Sequence, residues 1–119
     1  IIKEKPHAIL HLAGSSGGIG RSYNKHASIL RDNIYMTFNV LEGARLAKTK
    51  KVLLTMSTGM YPENSKIPLT ENNIHTGEPV KYNYGNSFGK RIIEMVKNNY
   101  SIFITKQNWI TDNLKFYDN

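Results

Sequence analysis

Lys51-Val-Leu-Leu-Thr-Met56 runs directly into Ser57-Thr-Gly-Met-Tyr61-Pro62. A continuous apolar run bounded by cations and turn residues reads as a buried strand of a parallel sheet, covered on both faces. Ser57 then stands just past the carboxyl end of that strand, where open α/β sheets bind their ligands. Upstream, Ala8-Ile-Leu-His-Leu-Ala13, closed by Gly14, is a second short apolar run and a second expected strand. Between the two, Ile34, Phe38, Leu41 and Leu46, with Met36, Val40 and Ala44 beside them, recur at helical spacing. Asp32 is the expected N-cap of that helix and Lys48 its end. Downstream, a helix is expected from about Tyr84 to Asn99 with Phe88, Ile92, Met95 and Val96 as its apolar stripe, then a third strand at Ile102–Thr105. Strand, helix, strand, helix, strand is an α/β order, with parallel strands joined by right-handed crossovers.

Composition narrows the function classes. The chain has 119 residues, 39% of them hydrophobic and 21% charged, which fits one globular domain and argues against wholesale disorder. It opens at Ile1 rather than Met, which points to a segment of a longer polypeptide. Cysteine is absent, which excludes disulfides and thiolate metal sites and suits a cytoplasmic protein. No apolar stretch approaches the roughly 20 residues of a spanning helix, so no membrane partner is expected. The net charge of +7 is scattered; Lys48, Lys50 and Lys51 form its one tight cluster, placed where a helix ends and a strand begins. Cations favour a helix C-terminus, so a solvated helix end is preferred there over a nucleic-acid patch.

The motifs leave several chemistries open. Gly14-Ser-Ser-Gly-Gly18-Ile-Gly20 follows a strand, as a diphosphate-binding loop does, because glycines let the backbone approach phosphate at a helix N-terminus. Arg21-Ser-Tyr-Asn-Lys-His26 after it is polar, and no strand ending in an acid follows, so a flexible loop beside the site is the competing reading. Ser57 taken alone reads more readily as a loop or turn residue. Lys90, 33 residues on and inside a helix, strengthens a functional reading, since a lysine there can bind ribose hydroxyls and lower a neighbouring acid's pKa. Without Ser57, Lys90-Arg91 would read as surface cations. His11 is expected to be a hydrogen-bonded core residue, and His7, His26 and His75 lack metal-ligand spacing, so no metal site is expected. The stretch Pro62 to Pro79, rich in Pro, Asn, Thr and Gly, is expected to be a long irregular loop, and loops of that length are usually functional.

From about Pro6 to Tyr100 these residues resemble the extended short-chain dehydrogenase/reductases, most closely the GDP-L-fucose synthases, which are GDP-4-keto-6-deoxymannose epimerase-reductases. The resemblance is carried by His11-Leu-Ala-Gly14, Gly17-Gly18-Ile19, Asn33, Asn39-Val-Leu-Glu-Gly-Ala44, Ser57-Thr-Gly-Met-Tyr61-Pro62 and Tyr84-Gly-Asn-Ser-Phe-Gly-Lys90-Arg91. It implies a partial Rossmann-type, doubly wound parallel sheet over residues 1–105, lacking the first βαβ unit and the substrate lobe, with residues 106–119 a divergent tail. It implies NADP as cofactor, lined by Ala13, Gly14, Thr55, Met56, Ser57 and Lys90, a GDP-ketosugar as substrate, and a homodimer. Ser57 would stabilise the keto oxygen and Lys90 would bind the nicotinamide ribose.

Two positions depart from the family. Asn86 stands where the tyrosine acid belongs, four residues before Lys90, and an amide cannot deliver a proton as a phenol can. Gly59 stands in place of the epimerase cysteine. Tyr84, six residues from Lys90, lies on another helical face. The expectation is therefore a fragment or degenerate homologue, inactive as this chain. The alternatives are a non-catalytic nucleotide-sugar binding module, or a standalone reductase using Gly14–Gly20 as its phosphate loop.

Overall fold

The computed structural model of the chain describes residues 1–96 and the backbone of residues 103–107. Three parallel strands, β1 (Ala8–His11), β2 (Lys51–Thr55) and β3 (Phe103–Gln107), form a sheet in the order β1-β2-β3. Helices α1 (Gly18–Asn24) and α2 (His26–Leu46) connect β1 to β2, and α3 (Tyr84–Val96) follows a long segment after β2. The α/β order and the parallel pairing agree with the sequence pattern. β3 reaches Gln107, two residues past the expected domain end at 105, and the expected helix end at 97–99 and the tail beyond 107 lie outside the described residues.

The register Ile9↔Val52 and His11↔Leu54 puts these four side chains on the sheet face that α2 and α3 cover. Val52 and Leu54 are buried there with Leu41, Ala44 and Ile93, and Ile9 and Met56 pack against them. On the opposite face Leu10 is 62% exposed and Leu53 only half-buried. Among the described residues that face lacks the cover that the apolar run of β2 calls for.

Three expectations need correction. α2 begins at His26, so Asp32 is inside the helix rather than its N-cap, and the helix ends at Leu46 rather than Lys48. The glycine-rich loop expected over Ser15 to Ser22 stops at Gly17, because helix α1 begins at Gly18. The apolar stripe of α3 is not the buried face: Phe88, Ile92 and Met95 are exposed, while Gly85, Gly89 and Ile93 face inward. The reason is close approach of the helices. A Cβ on Gly85 would lie 2.2 Å from the carbonyl oxygen of His26, and one on Gly89 would touch Leu30 at 3.4 Å. Small residues at i and i+4 let α3 settle onto α2, and its larger apolar side chains turn outward. His26 also accepts the Gly85 N–H through Nδ1 at 3.3 Å, which ties the starts of the two helices together.

Candidate active site

Strand β2 delivers its last residue, Thr55, to the carboxyl edge of the sheet, and Ser57 follows as the N-cap of a 3₁₀ turn, Thr58–Met60. The Ser57 Oγ accepts the Gly59 N–H at 3.2 Å, which leaves the hydroxyl proton free to donate. The expected pairing of this edge with α3 is present. Lys90 is 8% exposed, and its Nζ donates to the Thr55 carbonyl at 2.7 Å. Burial lowers its pKa, so its proton is held less tightly than on a surface lysine. Two of the ammonium protons remain for another ligand.

Arg91 is buried as well, and its Nε donates to the Met60 carbonyl at 2.6 Å. Two consecutive cations therefore bracket Ser57, one at carbonyl 55 and one at carbonyl 60. The sequence offered Arg91 only as a surface charge. The buried stripe of α2 offers another unanticipated group, because Asn33 sits between Ile29 and Thr37 at i+4 spacing and is 2% exposed. Asn33 Oδ1 accepts the Ser15 N–H at 2.6 Å, and its Nδ2 donates to the Ser15 carbonyl at 2.9 Å and to Asn86 Oδ1 at 3.3 Å. A buried polar side chain must be satisfied, and these bonds pin the glycine-rich loop to α3.

Asn86 is half-buried on the side of α3 that meets Asn33, and it offers an amide oxygen already in use. Tyr84 does not replace it. Its hydroxyl donates to Glu78 Oε2 in the Pro62–Pro79 segment, and that hydrogen bond raises the phenol's pKa. At Gly59, a Cβ would come within 2.9 Å of Asn83 Nδ2, 3.1 Å of Ser87 Oγ and 3.4 Å of Ser57 Oγ. The space of the absent side chain is taken up by polar groups of α3 and the turn before it.

Ala13 and Gly14 lie exposed just past β1, and Thr55 and Met56 are half-buried at the end of β2. All four stand at the carboxyl edge of the sheet with Ser57. His11 is buried, and its Nε2 hydrogen-bonds Thr37 Oγ1 at 3.2 Å, as a core histidine should. Burial, with the Lys90 charge adding to it, lowers its pKa. At the start of α1 Gly18 has φ +70, and a Cβ on Gly20 would meet nothing within 4 Å. The last glycine of a dinucleotide loop serves close helix–strand packing, which Gly20 does not make.

The sequence signature of the NAD dependent epimerase/dehydratase family matches residues 1–106. The chain is 35% identical over 98 residues to the "probable GDP-L-fucose synthase" of Drosophila melanogaster, covering 82% of this chain and 30% of that protein. Among solved structures it superposes on DdhaC with a TM-score of 0.79 at 27% identity, covering 87% of this chain and 31% of that one. It superposes on a GDP-L-fucose synthetase of Naegleria fowleri, bound to NADP, with a TM-score of 0.71 at 28% identity, covering 86% of this chain and 36% of that one. The chain thus spans about a third of the length of these relatives. With the parallel sheet, Ser57 at its carboxyl edge, Lys90 beside it and a family signature over most of its length, this chain belongs to the NAD dependent epimerase/dehydratase family.

Proposed function

We propose that this chain corresponds to an interior part of an NADP-dependent GDP-4-keto-6-deoxymannose epimerase-reductase, the type of enzyme that makes GDP-L-fucose, and that as it stands it does not turn over. The observation that carries the reading is Lys90 Nζ held 2.7 Å from the Thr55 carbonyl, beside Ser57 at the ends of the strands. Ser57 retains a hydroxyl proton for a keto oxygen, and Lys90 retains protons for ribose hydroxyls. NADP, when bound, would supply the hydride, with Ala13, Gly14, Thr55, Met56, Ser57 and Lys90 as its contacts.

Asn86 supports the loss of turnover. An amide in place of the phenol supplies no proton, and general-acid catalysis is worth about 10²–10⁴ in rate. Asn86 also accepts a hydrogen bond from Asn33, which gives it a structural use in place of a chemical one. That favours the second reading, a module that binds a nucleotide sugar without chemistry. A standalone reductase with Gly14–Gly20 as phosphate loop is disfavoured by the open space around Gly20.

The exposed row Phe88, Ile92 and Met95 on α3 supports a homodimer, and the lack of a helix long and apolar enough to cross a membrane, among the described residues, is compatible with a cytoplasmic setting. The test is NADPH oxidation with GDP-4-keto-6-deoxymannose, alongside NADPH titration of wild type and Lys90→Ala. We expect no turnover. Oxidation at an ordinary enzymatic rate by the unaltered chain would overturn the proposal.

A further inference from the structure

The Pro62–Pro79 segment folds back on itself through an antiparallel bridge between its first and last residues, Pro62 and Pro79. It encloses, with the start of α3, a groove of about 590 Å³ that Ser57, Asn86 and Lys90 do not line. That volume is in the range of small-molecule sites, roughly 300–1,000 Å³. Its walls carry Glu63, Ser65, Lys66, Glu78, Lys81 and Tyr84.

The chemistry of these walls selects a ligand. Two carboxylates and two ammoniums cancel in formal charge, so neither a phosphate nor a divalent cation gains from the whole set. Acceptors, donors and one aromatic ring all line the groove, which is what a neutral ring bearing several hydroxyls needs, since each hydroxyl both donates and accepts. The groove is set in advance, because the Tyr84 hydroxyl is already anchored on Glu78.

We infer that this groove binds a neutral hexose, held by Glu63 and Glu78 as acceptors and by Lys66 and Lys81 as donors, with the Tyr84 ring against one face of the sugar. The groove stands apart from the coenzyme edge, so the inference does not rest on NADP binding.

The test is a nuclear magnetic resonance titration of the ¹⁵N-labelled chain with mannose, glucose, galactose and fucose, and separately with inorganic pyrophosphate. Saturable shifts at the amides of residues 63–66 and 78–84 with at least one hexose, and none with pyrophosphate, are expected. Glu78→Gln should weaken that binding about tenfold, the loss of one hydrogen bond to a charged group, and Tyr84→Phe should weaken it by releasing the Glu78 carboxylate that its hydroxyl anchors. Both replacements are nearly isosteric at exposed or half-exposed positions, and an unchanged melting temperature confirms that each variant folds. No saturable response to any of the four hexoses overturns the inference, as does pyrophosphate occupying the groove instead, or hexose binding that both variants leave intact.

Discussion

Replacing Asn33 with alanine should unfasten the glycine-rich loop from α3 and cost the fold more than a polar residue on a helix would suggest. The side chain is 2% exposed and makes three hydrogen bonds, at 2.6, 2.9 and 3.3 Å, two to the Ser15 backbone and one to Asn86. A net value of about 1 kcal/mol for each short bond and about half that for the long one gives roughly 2–3 kcal/mol. Ser15 is only half-buried, so water replaces part of what is lost and the lower end of that range is favoured. For a domain of this size the change corresponds to a fall in melting temperature of roughly 8–20 °C. Urea denaturation gives the free energy, and the midpoint should fall while the slope stays constant. Hydrogen exchange locates the effect, since the Ser15 amide should lose its protection while amides of β2 change only by the global loss. Asn33→Asp is the informative companion, because it keeps the acceptor for Ser15 N–H but has no Nδ2 and buries a charge. A destabilisation below about 0.5 kcal/mol for Asn33→Ala, with Ser15 protection unchanged, would refute the claim that this residue ties the loop to the helix.

Further outcomes follow from the same geometry. Gly85→Ala places a Cβ 2.2 Å from the His26 carbonyl, so α3 must move off α2, and a loss of about 3 kcal/mol or more in urea denaturation is expected. Gly59→Cys restores a thiol where the family has one, but its Cβ meets Asn83 Nδ2 at 2.9 Å; the Asn83 amide must swing aside at a cost of about 1 kcal/mol, seen as a modest loss of melting temperature. His11 is neutralised by burial, so its folded pKa lies below its ordinary value of about 6.5. The unfolded chain then binds the extra proton, and stability falls as pH drops from about 6.5 toward the folded pKa. His11→Gln should flatten that part of a melting-temperature profile against pH. Ile92→Glu, on the exposed row of α3, should abolish a dimer in sedimentation equilibrium while leaving the melting temperature of the monomer nearly unchanged.

The burial reversal on α3 has a bearing on partners. A helix that turns Gly85, Gly89 and Ile93 inward and Phe88, Ile92 and Met95 outward packs closely on one neighbour while keeping an apolar face free for another. The inner contact is made by backbone proximity and the outer by side-chain volume. Hydrophobicity alone marks only the second, which is why the periodic pattern selects the outward face as the core.

The sequence by itself determined the strands, their parallel order and the pairing of Ser57 with Lys90, because those depend on apolar runs, on spacing along a helix and on the family's motifs. It also determined that residue 86 carries an amide and residue 59 no side chain, which are matters of identity. The extent of α2 was not readable, because its first turn lacks both a capping side chain and an apolar periodicity. The tertiary structure alone decided which polar groups would be buried. Arg91 reads as a surface cation in sequence, yet, like Lys90, it finds a backbone carbonyl at the sheet edge, and the two bracket the serine. Asn33 stands out in sequence only through the family resemblance, yet it faces a loop whose peptide groups need partners. Burial of a charge or an amide is settled by whether an acceptor or donor from a distant segment arrives within about 3 Å, and no local pattern encodes that arrival.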